Sequence, residues 1–93
     1  MSRDKLADCR KKIDAIDIQI LALLNERTRV VEEIGRIKQQ FSMPIYEPNR
    51  EEDVFRNVVT NNGGPLTNEA LKRVFERIID EMRTVQRDRM ELR

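Results

Sequence analysis

The stretch DKLADCRKKIDAIDIQILALLNERTRVVEEIGRIKQQF, Asp4 to Phe41, decides the fold. Its apolar residues recur at Leu6, Cys9, Ile13, Ile16, Ile20, Leu23, Val30, Ile34, Ile37 and Phe41, in steps of three and four with a single gap. That spacing lays one stripe along a helix. No proline interrupts it, and its only glycine is Gly35. At 1.5 Å per residue such a helix reaches about 57 Å, against about 30 Å for a small domain. A chain of 93 residues cannot bury so long a stripe by itself. The 3.5-residue period favours close packing against another helix.

The gap in the stripe after Leu23 and Leu24 is filled by Arg27. A guanidinium on an apolar seam must pair, face a polar cavity, or snorkel so that its stem packs while its head reaches water. Arg27 and Lys38, eleven residues apart, fall within about 20° of one helical face and about 16 Å along the axis, so both can converge on one small anion. Arg10 stands about 25 Å before Arg27 on the same helix. One helix cannot bring both arginines to a single small molecule, whereas an antiparallel copy can. Gly35 costs about 1 kcal/mol relative to alanine inside a helix, which implies that a crossing helix or a ligand approaches the backbone there.

Beyond this stretch, Ser42, Met43 and Pro44 end the helix. Pro48 suits the first turn of a second helix running to about Thr60, with Val54, Phe55, Val58 and Val59 inward. Glu47, Arg50, Glu51 and Glu52 crowd its start, where acidic side chains complement the helix dipole. Asn61, Asn62, Gly63, Gly64 and Pro65 form a break. Thr67 or Asn68 then caps a third helix carrying Leu71, Val74, Phe75, Ile78, Ile79, Met82, Val85 and Met90, with Gln86 beside the stripe one turn beyond Met82. The expected fold is all-α, three helices in a single domain over residues 1–93.

Composition narrows the function. Apolar residues are 39% and charged residues 38%, with a net charge of +1. Binding to nucleic acid or a membrane surface through bulk charge is not expected. No apolar run approaches a membrane span and no basic-then-apolar leader opens the chain, so a cytosolic protein is expected. Cys9, the one cysteine, reads as a small residue on the apolar stripe, and a disulfide framework is excluded. Histidine is absent. An enzyme built on this chain works without the usual general base, zinc ligand or histidine-activated nucleophile, and no metal or cofactor is expected.

The strings CRKKIDAID at 9–17, LALLNERTRVVEEIGRIK at 21–38, PIYEPNREED at 44–53 and VFERIIDEM at 74–82 together resemble the all-helical chorismate mutases, from about Leu6 to Gln86. The resemblance implies an intertwined homodimer of three-helix chains, its long first helices antiparallel and its two active sites shared. It implies the Claisen rearrangement of chorismate to prephenate, which needs no cofactor. Arg10 from the partner chain and Arg27 would bind the two substrate carboxylates, and Lys38 and Gln86 would donate to the ether oxygen. Glu51 would hold the ring hydroxyl, helped by Glu47 and the region of Arg50.

Two positions depart from the family pattern: Glu47, where aspartate is common, and Met82, where some members place a serine near a substrate carboxylate. The FSMPIYEPNRE and NNGGP segments look most like mutase domains attached to DAHP synthases, so a fused or associated shikimate-pathway enzyme is implied as a partner. Two alternatives share this fold: an isochorismate pyruvate lyase, and a weakly active regulatory module of a DAHP synthase.

Overall fold

The computed structural model describes residues 2–91, with the side chains of Met90 and Glu91 outside the described set. Three helices follow in order: α1 (Ser2–Gln40), α2 (Pro48–Thr60) and α3 (Asn68–Glu91). No strand occurs among the described residues. The chain divides into two compact units, Met1–Val30 and Val31–Arg93.

The first unit is helix alone. Leu6, Cys9, Ile13, Ile16, Ile20, Leu23 and Val30 are all exposed, because a lone helix offers its stripe nothing to pack against. Thr28 satisfies its hydroxyl locally, donating to the Leu24 carbonyl at 2.7 Å. Such back-bonding to the preceding turn is one way a threonine is tolerated inside a helix.

In the second unit the end of α1, α2 and α3 form a small core around Val31, Ile79 and Met82. The expected inward residues of α2, Val54, Phe55, Val58 and Val59, are half-buried. So are Leu71, Phe75, Ile78 and Val85 of α3, whereas Val74 is exposed and departs from the expected stripe; Met90 lies outside the described side chains.

The end of α1 uses a different face from its stripe. Val31, Gly35 and Lys38 are buried, while Ile34, Ile37 and Phe41 stay exposed. At Gly35 α3 comes near: a β-carbon added there would lie at ordinary contact distance, 3.6 Å from Gln86 Cγ and 3.7 Å from Gln86 Cα. The approach expected at this glycine is that of a crossing helix. Farther along the same pairing, Arg89 Nε donates to Glu32 Oε2 at 2.6 Å.

The helix ends are set by local chemistry. After Gln40 the chain reverses at Ser42, whose φ of 53° lies in the left-handed region. The Met43 N–H reaches the Lys38 carbonyl at 2.7 Å and the Ser42 N–H the Gln39 carbonyl at 3.3 Å. This pair of bonds is the Schellman arrangement, which satisfies carbonyls left open at a helix end and usually employs glycine. Thr67 caps α3 as expected, accepting from the Ala70 N–H at 3.1 Å. In the preceding loop Asn62 donates to the Leu66 carbonyl and to Asn68 Oδ1, each at 2.8 Å. Gly64, at φ 73°, supplies the one glycine-favoured conformation there.

Candidate active site

Lys38 is the centre of the site. It lies in the last turn of α1 and is only 6% exposed. An isolated buried ammonium would cost several kcal/mol, so it must find partners. Its Nζ donates to the Ile45 carbonyl at 2.9 Å and to Gln86 Oε1 at 3.2 Å. A third contact, an ion pair with Glu47 Oε1, measures 2.8 Å. An ammonium carries three donors, and here each has an acceptor.

Gln86 was expected at the edge of its stripe, where an amide is ordinarily solvated. Instead it is buried, at 8% exposure. The reason is Lys38: the ammonium needs an acceptor on α3, and the Gln86 amide oxygen supplies it. That bond also orients the amide. With Oε1 turned to Lys38, the Nε2 group is left to donate elsewhere.

Glu47 is the N-cap residue of α2, yet its side chain makes no capping bond. The longer glutamate reaches Lys38 instead, while its backbone carbonyl accepts the Glu51 N–H at 3.1 Å. The Glu47 carboxylate thus sits on Lys38. Met82, the other departure, is buried in the core at 8% exposure.

Glu51 occupies the first turn of α2 and faces Arg83 on α3. Arg83 Nη2 donates to Glu51 Oε1 at 3.3 Å. Arg83 Nε stands 3.1 Å from Oε2, close enough for an ion pair but too far out of line for a hydrogen bond. The same Nη2 donates to Asp80 Oδ1 at 2.9 Å, and the guanidinium lies 5.4 Å from the centre of the Tyr46 ring. Arg83 was missed in the sequence. The available signal was its spacing, four residues after Ile79 and three before Gln86, which sets a charged residue beside the buried face of α3.

The two clusters adjoin through consecutive residues, since Ile45 and Glu47 contact Lys38 while Tyr46 between them contacts Arg83. Arg50 is exposed. Arg10 is exposed and Arg27 half-buried, both on the amino-terminal unit. A cavity of about 270 Å³ between α2 and α3 is lined by Glu51, Phe55, Glu76, Ile79, Asp80 and Arg83. Neither Lys38 nor Gln86 lines it, and its three carboxylates would repel an anion. Among the described residues no group of His, Cys, Asp and Glu is arranged to hold a metal ion, and no helix is long and apolar enough to cross a membrane.

The family model for chorismate mutase type II matches residues 9–87. The chain belongs to the chorismate mutase type II family. Its fold is similar to a chorismate mutase of Thermus thermophilus, with a TM-score of 0.87 and 32% identity over 89% of this chain and 94% of that one. It is also similar to the Helicobacter pylori chorismate mutase solved with prephenate, with a TM-score of 0.86 and 28% identity over 92% and 93% of the two chains. Among curated proteins, the bifunctional chorismate mutase/prephenate dehydratase of Aquifex aeolicus is 40% identical over 80 residues. Those residues are 82% of this chorismate mutase family chain but only 22% of that relative.

Proposed function

We propose that this chain is a chorismate mutase, converting chorismate to prephenate in the synthesis of phenylalanine and tyrosine. The observation that carries the reading is the buried Lys38 bonded to Gln86 Oε1 at 3.2 Å. In the rearrangement the ether C–O bond breaks as a C–C bond forms, and no proton needs to move. The protein's task is to hold the folded conformer and to stabilise negative charge growing on the ether oxygen. Lys38 Nζ and Gln86 Nε2 are the two donors for that oxygen, and Glu47, at 39% side-chain exposure, is the Lys38 partner best able to swing aside.

The remaining roles follow the family resemblance. Arg27, with Arg10 of a second copy, binds the two substrate carboxylates, for which the planar guanidinium fork is suited. Glu51 accepts the ring hydroxyl beside Arg50, and Met82 lines the site. The exposed stripe of α1 supports an intertwined homodimer with shared active sites, because a second copy of the helix is the partner that matches its period. Residues 1–93 would then act as one mutase domain in the cytoplasm. A fused or associated shikimate-pathway enzyme is supported by relatives that join a mutase to prephenate dehydratase.

The test follows the loss of chorismate's ultraviolet absorbance, with prephenate confirmed as product, for wild type and Lys38→Ala. Loss of one preorganised oxyanion donor lowers turnover by about 10² or more. An undiminished variant would refute the role of Lys38. A wild type inert on chorismate but active on isochorismate would replace the mutase by a pyruvate lyase.

A further inference from the structure

We propose that Arg83 is a positioning residue that sets the carboxylate of Glu51 for the substrate's ring hydroxyl. This rests on the role given to Glu51 above. Glu51 presents both oxygens to the side of one guanidinium, at 3.3 Å from Nη2 and 3.1 Å from Nε. A hydrogen bond on one oxygen and a close ionic contact on the other restrain the carboxylate's rotation more than a single contact would. Each oxygen keeps a lone pair for another donor. Arg83 thus orients the acceptor without consuming it.

The guanidinium is itself held from two other directions. Asp80, one turn earlier on α3, accepts from Nη2 at 2.9 Å, and the Tyr46 ring packs 5.4 Å from Cζ. Glu51 therefore conforms to Arg83 rather than the reverse. Arg83 is also the only cation among the six residues lining the α2–α3 cavity, which it shares with the carboxylates of Glu51, Glu76 and Asp80. Without it, three like charges remain together and the Glu51 carboxylate turns away.

The test is a double-mutant cycle of wild type, Glu51→Gln, Arg83→Met and the double variant, with kcat and KM for chorismate measured beside thermal melting. Arg83→Met is expected to lower kcat/KM roughly ten- to hundredfold through misplacement of Glu51. In the Glu51→Gln background the same change is expected to cost less than about twofold, since the residue it acts through is already disabled. Full multiplicative losses in the double variant would overturn the inference, because Arg83 would then act on its own. If Glu51→Gln is as active as wild type, the role of Glu51 falls first and the inference with it.

Arg83→Lys covers the case in which Arg83→Met fails to fold. It retains the charge but not the two-point hold, so it is expected to keep most of the defect. Full activity in Arg83→Lys would overturn the orienting role.

Discussion

Replacing Gln86 by glutamate tests the site with almost no change of shape. The amide oxygen that accepts from Lys38 at 3.2 Å has a direct counterpart in the carboxyl group. The donor facing the ether oxygen does not, because a carboxyl donates only when protonated. Above the carboxyl's pKa the variant loses one of two donors and presents a negative charge where negative charge develops. One lost oxyanion donor is worth about 2.7–4 kcal/mol, or about 10²–10³ in kcat.

The sign follows directly. The acid form is active, so turnover is retained below the carboxyl's pKa and falls about tenfold per pH unit above it, down to the floor set by the missing donor. The wild-type amide donates at every ordinary pH, and its kcat should lack this fall. The assay is initial velocity at saturating chorismate from about pH 5 to about pH 8 for both proteins, after melting curves establish that both are folded. A Gln86→Glu enzyme with wild-type turnover across that range would refute the assignment of Gln86 as a donor. A steep loss of wild-type turnover over the same range would refute it equally.

Three further outcomes are expected. Ser42→Gly relieves a non-glycine residue at φ 53°, a conformation that costs about 1–2 kcal/mol, but makes the unfolded chain more flexible. The net should be a gain of up to about 1 kcal/mol, read as a higher urea midpoint, and a lower midpoint would refute the account of this turn. Gly35→Ala places a methyl at ordinary contact distance from Gln86, 3.6 Å at the nearest, and adds helix propensity of about 1 kcal/mol, so the midpoint should rise rather than fall. Ile16→Asp puts a charge into the exposed stripe of α1 and should leave monomers in sedimentation where wild type gives dimers; an unchanged molar mass would reject that face as the interface.

Much of this fold was legible because it is governed by local rules. Pro48 opened α2 and Thr67 capped α3 where their chemistry requires. Periodicity also identified the long stripe of α1. It could not identify the face that α3 uses, because Val31, Gly35 and Lys38 include only one large apolar residue and carry no hydrophobic signature. Burial of Gln86 was hidden for the same reason. It depends on an ammonium arriving from another helix, and no property of α3 alone announces it. Lys38 itself was found through its spacing from Arg27 and the family strings. Its link to Glu47 depends on the path of the chain after Ser42, and the pairing of Arg83 with Glu51 depends on the rotation of α3 against α2. Both are tertiary facts with no local trace.

The two connections differ in how much length variation they can absorb. Between α1 and α2, the Ile45 carbonyl and the Glu47 carboxylate reach Lys38, while the intervening Tyr46 ring packs against Arg83. One inserted or deleted residue there shifts the Glu47 carboxylate off Lys38 and the Tyr46 ring off Arg83. Between α2 and α3, a β-carbon at Gly63 would meet nothing within 4 Å. Homologous chains should therefore vary freely in length around Gly63 and hold a fixed count from Phe41 to Glu47. In this small fold the first connection behaves as a ruler and the second as slack.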